Sequence, residues 1–131
     1  VNPNDVKSEN FLLNKTILVI ENDPQIQQAV SSVLESWGAT VKIADSISSI
    51  LINCPIAPDL MLVDYHLNAG ENGIDAVASA NAVWNKKVPG ILVTANRADS
   101  IRDDATNAGL DFLPKPVKLA ALKRSIRKTL L

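Results

Sequence analysis

The sequence predicts an α/β fold: a doubly wound parallel sheet of five strands flanked by five helices. Three observations carry this prediction. Short, wholly apolar runs such as Ile17-Leu18-Val19-Ile20 and Leu60-Met61-Leu62-Val63 read as strands buried on both faces. Between the runs lie segments whose apolar residues recur at steps of three and four, the period of an amphipathic helix. The two kinds alternate from residue 15 to the end of a 131-residue chain, the pattern produced by strand–helix–strand crossovers onto a parallel sheet.

The elements follow in order. Residues 15–20 make the first strand. Asp23 then offers a side chain to cap a helix, and Pro24 suits its first position. Ile26, Ala29, Val30, Val33, Leu34 and Trp37 give that helix one apolar face, and Gly38 stops it. Residues 40–44 are a short second strand, followed by a weaker helix capped by Asp45 or Ser46 and running to about Asn53. Residues 60–63 are the third strand, ending at Asp64. A loop with Asn68, Gly70, Asn72 and Gly73 leads into a helix with Ile74, Val77, Ala78 and Trp84 on its apolar face. Residues 90–93 are the fourth strand, ending at Thr94. Ser100 is placed to cap a short helix carrying Ile101, Ala105 and Ala108, which Gly109 closes. Residues 110–113 make the last strand. Leu119, Leu122, Ile126 and Leu130 line the core side of a terminal helix, with Lys118, Lys123, Arg124, Arg127 and Lys128 on its other side.

The bulk properties narrow the function classes. A hydrophobic share of 47% and a charged share of 21% are ordinary for a globular domain. A formal net charge of −1 gives no global reason to expect direct nucleic-acid binding or attraction to an acidic membrane. The single cysteine, Cys54, has no internal disulfide partner and reads as a packing residue of a protein in a reducing compartment. No apolar run reaches the ~18 residues a membrane span requires, and the first residues lack the apolar core of a secretory signal. The chain opens on Val1 without an initiator Met. Residues 1–14 are expected to be a linker or the tail of a preceding domain, with the folded domain over 15–131.

Open parallel sheets bind ligands beyond the carboxyl ends of their strands. Glu21, Asn22 and Asp23 follow the first strand, Asp64 the third, Thr94 the fourth and Lys115 the fifth. Each has a plainer reading taken singly: helix start, solvated acid, turn residue, surface lysine. Together they make a coherent chemistry. A carboxylate attacks phosphorus when a divalent cation offsets the charge of the incoming group. Mg²⁺ takes oxygen ligands, keeps several waters, and is usually held by one or two carboxylates. Asp64 with an acid from the first strand end would supply these. Thr94 and Lys115 would bind the remaining phosphoryl oxygens.

The stretches Ile17-Leu-Val-Ile-Glu-Asn-Asp-Pro24, Pro58-Asp-Leu-Met-Leu-Val-Asp64, Gly73-Ile-Asp75, Leu92-Val-Thr94-Ala95 and Ala108-Gly-Leu-Asp-Phe-Leu-Pro-Lys115-Pro116 resemble a response-regulator receiver domain of two-component signalling. The resemblance covers residues 15–131. It implies the flavodoxin-like receiver fold, with strand order 2-1-3-4-5. It implies Asp64 as phosphoacceptor, Thr94 and Lys115 as its catalytic partners, and Thr94 with Phe112 as the switch. Glu21, Asn22, Asp64 and the backbone carbonyl of His66 would hold Mg²⁺ (or Mn²⁺), and the Lys115-Pro116 bond would be cis. The phosphodonor would be a histidine kinase or phosphotransfer domain, and a second receiver could pair with this one. Such a chain is not an enzyme beyond its own phosphorylation.

Asp64-Tyr-His-Leu67, the loop from Gly70 to Gly73 and Lys115-Pro-Val-Lys118 resemble receivers at the C-terminus of hybrid sensor histidine kinases. This implies a cytoplasmic domain, free or within a membrane-attached sensor. Receivers usually carry two adjacent acids after the first strand, where this chain has Glu21-Asn22, so weaker cation binding is expected. The alternative is a pseudo-receiver acting as a phosphorylation-independent interaction module. Phe112 lacks a hydroxyl to anchor it outside, which is expected to bias its ring inward.

Overall fold

The computed structural model describes residues 10–130. Five strands, β1 (Thr16–Ile20), β2 (Thr40–Ala44), β3 (Leu60–Asp64), β4 (Gly90–Thr94) and β5 (Leu110–Pro114), alternate with five α-helices, α1 (Pro24–Ser36), α2 (Ile47–Asn53), α3 (Gly73–Trp84), α4 (Asp99–Asn107) and α5 (Leu119–Leu130), and a 3₁₀ turn spans Asn68–Gly70. The sheet is parallel in the order β2-β1-β3-β4-β5, as expected.

Strand alternation divides the interior. Leu18, Ile20, Met61, Val63, Leu92 and Leu110 face one side, where α2, α3 and α4 add Ile50, Val77 and Ile101. Ile17, Val19, Leu62, Ile91, Val93 and Leu113 face the other, where α1 and α5 add Leu34, Leu122 and Ile126. The two-residue period of a strand therefore decides which layer each strand-end side chain enters.

Local signals act much as expected. The Asp23 carboxylate accepts the Gln25 N–H, with Pro24 opening α1. Ser46 accepts the Ser49 N–H and the Ser49 hydroxyl answers at the cap backbone, a capping box. Gly38, with φ +99°, ends α1 against the backbone of Leu13, and a Cβ there would sit 3.0 Å from the Leu13 nitrogen. The Lys115-Pro116 bond is cis.

Some expectations are corrected. The cap of α4 is Ala98, which offers no side chain, and Ser100 lies inside the helix. Ala78 and Leu119 are exposed rather than on the buried faces of α3 and α5. Residues 1–9 of the expected tail lie outside the described residues. Residues 10–14 form a turn that packs on the domain: Leu12 is fully buried and donates its N–H to the Trp37 carbonyl (2.9 Å). Phe11 packs against Trp37 at a 46° tilt with centroids 5.4 Å apart, and the Arg127 guanidinium of α5 lies 4.8 Å from the Phe11 ring centroid.

Candidate functional site

The carboxyl ends of β1, β3 and β5 bring three charges together. Alternation carries Glu21, Asp64 and Lys115 into the α1/α5 layer. Glu21 is 4% exposed and Asp64 7%. The Lys115 ammonium lies 3.1 Å from Asp64 Oδ1 and 3.4 Å from Glu21 Oε1. The other Glu21 oxygen accepts the N–H groups of Asn22 (2.9 Å) and Asp23 (3.3 Å), which orients it. Gln27 of α1 donates its side-chain amide to the Glu21 carbonyl.

Burial, and then the nearby Asp64 charge, push the Glu21 carboxyl above its usual range, against the pull of Lys115. Burial by itself would lower Lys115, but its contacts with Asp64 and Glu21 outweigh this and raise it. Two facing carboxylates are thus held by one ammonium group, an arrangement that welcomes a further cation.

Thr94 is 0% exposed at the end of β4, and its hydroxyl accepts the Asn96 N–H (3.0 Å). It belongs to the strand row facing the α3/α4 layer, the row shared by Leu92 and, across the β4–β5 pairing, Phe112. Alternation therefore sets Thr94 on the opposite face from Glu21, Asp64 and Lys115. Asn22 is not gathered with the carboxylates: its side-chain amide donates to Asn68 Oδ1 (3.0 Å) in the loop after β3. The His66 side chain is exposed beside Tyr65. The bridge between His66 and Asn72 is closed by bonds to the carbonyls of Tyr65 and Glu71, and not to that of His66.

Gly73 opens α3 directly against the end of β3. A Cβ there would run into the Asp64 carbonyl oxygen and lie 2.6 Å from Val63 Cγ1. Glu71 accepts the Ile47 N–H at the start of α2 (2.8 Å), tying the same loop to the edge of the sheet. Gln27, Asn68 and Glu71 escape a sequence reading, because nothing in their spacing marks whom they meet.

Beside Asp64 and Lys115 opens a largely apolar cavity of about 590 Å³, walled by Ile26, Ala29 and Val30 of α1 and by Ala95, Pro116 and Val117. The apolar stripe of α1 is wider than the core consumes, and Ala29 is left exposed. Among the described residues no group of three or more His, Cys, Asp and Glu side chains stands ready for a metal. None of their helices is long and apolar enough to cross a membrane.

A family model, the response regulator receiver domain, matches residues 17–127. The chain belongs to the response regulator receiver family. This receiver is 30% identical over 121 residues to the DNA-binding response regulator MtrA of Mycolicibacterium smegmatis, covering 90% of this chain and 51% of that protein. It spans about half the length of the curated relatives it matches. Among solved structures it resembles the non-phosphorylated HemR receiver domain of Leptospira biflexa, at a TM-score of 0.76 and 25% identity over 88% of this chain and 93% of that one. It resembles equally the signal receiver domain of a modulated diguanylate cyclase from Desulfovibrio desulfuricans G20, at a TM-score of 0.75 and 26% identity, with 88% and 93% covered.

Proposed function

We propose that this receiver is a phosphorylation switch in which Asp64 takes a phosphoryl group from a phosphohistidine. The observation that carries the reading is the ammonium of Lys115 held 3.1 Å from a nearly buried Asp64 carboxylate. An Asp64 oxygen forms the new P–O bond as the P–N bond to the donor imidazole breaks, and the leaving nitrogen keeps the electron pair and takes up a proton. Lys115 stays beside the acceptor and binds a phosphoryl oxygen. Thr94 rotates its hydroxyl from the Asn96 N–H to a second one. Phosphorylation adds about −1.5 to −2 charge, and Phe112 follows Thr94, altering the surface of α4, β5 and α5.

Glu21 and Asp64 fit Mg²⁺ or Mn²⁺, since hard divalent ions accept one or two carboxylates and complete their shells with water. The Asn22 carbonyl oxygen and the His66 backbone carbonyl would join them, and the ion would offset the charge of the incoming phosphoryl group. Asn22 brings no charge and is tied to Asn68, so affinity is weak. Calorimetric titration should find millimolar rather than micromolar binding. Trp37 and Trp84 end their helices at the opposite edge of the sheet from Asp64, so their fluorescence is a poor probe.

The cavity beside Asp64 gives a phosphodonor helix an apolar floor, which supports a histidine kinase or phosphotransfer domain as partner. We infer the C-terminal receiver of a hybrid kinase, in the cytoplasm, from the loops around Asp64 and Lys115. The same loops favour residues 1–9, ahead of the packed turn at 10–14, as a connection to a preceding domain. Pairing of two receivers is supported by charge: α4 exposes Asp99, Asp103 and Asp104, while α5 is basic. Incubation with acetyl phosphate and Mg²⁺, read by intact mass, tests the reading. One adduct, lost in Asp64→Asn, is expected. No adduct under any condition would favour a phosphorylation-independent interaction module.

A further inference from the structure

Phe112 pairs with Leu92 across the sheet, on the row that leads to Thr94. Its ring is half-buried, packed toward the layer that contains Ile101 and Ala105 of α4. The Arg102 guanidinium covers it, 4.9 Å from the ring centroid. Arg102 is otherwise exposed, and among the described residues no carboxylate lies within ion-pair distance of it. A guanidinium over a ring face is held there by the ring quadrupole.

The structure assigns to Arg102 a positioning role: it latches Phe112 on the solvent side of β5, in place of the hydroxyl anchor the phenylalanine lacks. This inference rests on the reading of Thr94 and Phe112 as the switch pair. Arg102 is fixed to α4 and reaches the ring from outside. A ring moving toward the space beside Thr94 must therefore leave it. The latch sets how many unphosphorylated chains already hold the ring inward. It also couples the ring to α4, a helix whose buried residues are Ile101 and Ala105 and whose N-cap contributes no side chain. An exposed cation–π contact corresponds to a population change of about two- to fivefold.

The test exploits the two phenylalanines. With ¹³C-labelled Phe rings, a soluble gadolinium relaxation agent reports the exposure of Phe112, while Phe11, under Arg127 and Lys123, serves as internal reference. In Arg102→Ala and Arg102→Gln the Phe112 ring should become more protected, although its cover has been removed. Arg102→Lys should stay near wild type, and Phe11 should not change. Labelling by acetyl phosphate should quicken about two- to fivefold in the Ala and Gln variants. A ring more exposed or unchanged in Arg102→Ala would make Arg102 a passive lid and overturn the latch. Equal effects of Lys and Ala would overturn it too. The exposure measurement needs no phosphorylation, so failure of Asp64 as acceptor would show separately, as absence of the adduct in wild type.

Discussion

Asp64 and Glu21 face each other at the edge of a low-dielectric interior, and Lys115 is the group that lets both stay there. The spacing of these residues from their strands was legible in the sequence, because strand ends can be counted. Their mutual contact was legible too, once alternation assigned 21, 64 and 115 to one layer. The partner of Asn22 was not: an amide two residues past a strand end gives no sign that it will be met by Asn68. Nor was the cover of Phe112, since Arg102 looks like any exposed helical arginine. The loss of an aromatic hydroxyl was legible, and the inward bias read from it is what the Arg102 variants test. Gly73 has a sharper meaning than a loop glycine. Gly73→Ala should destabilise the fold by about 1–3 kcal/mol, since the added methyl overpacks the acceptor strand, and should slow labelling of Asp64. Urea denaturation checks the first effect, and a wild-type midpoint would show that the strand yields freely.

Cys54 gives a pH test at the same scale. Burial raises its thiol above the ordinary 9.0, partly offset by Lys42. The folded state therefore holds the thiol proton more tightly than the unfolded chain does. The associated stability is full below pH 9.0 and drains away as pH rises through the folded value. Iodoacetamide should modify Cys54 far more slowly in the native protein than in urea at pH 9.0. Equal rates would contradict the burial.

At the scale of elements, caps and stops were read well where a side chain performs them, as at Asp23, Ser46 and Gly38. The start of α4 was misplaced because Ala98 caps with its backbone alone, leaving no chemical signature. The turn at residues 10–14 was read by composition as tail, yet Phe11 and Leu12 follow the logic of packing. Leu12 is wholly enclosed between α1 and the sheet layer that α5 covers. Leu12→Ala should cost about 2–5 kcal/mol in chemical denaturation. A loss below about 0.5 kcal/mol, the scale of surface substitutions, would mean that the turn detaches without consequence. The same turn joins α1 to α5 through the Phe11, Trp37 and Arg127 cluster, so it steadies a helix of the surface proposed to answer phosphorylation.

Across the whole molecule, the sheet separates two functions. The α1/α5 layer holds Asp64, Lys115 and the open cavity, the face a donor would approach on the proposed reading. The opposite layer holds Thr94, Phe112 and α4, along which the response would travel on the proposed reading. A sheet read from periodicity alone already contains this division, because adjacent residues of one strand enter opposite layers. What periodicity leaves out is the long-range side-chain bonding that tunes each layer. The direct test is to treat the protein with acetyl phosphate and Mg²⁺, reduce the acyl phosphate with borohydride, and locate the modified residue by peptide mass spectrometry. Modification at Asp64 alone, dependent on the cation and slowed in Lys115→Ala, is the expected result. Modification at Glu21 or Asp23, or an undiminished yield in Asp64→Asn, would contradict it.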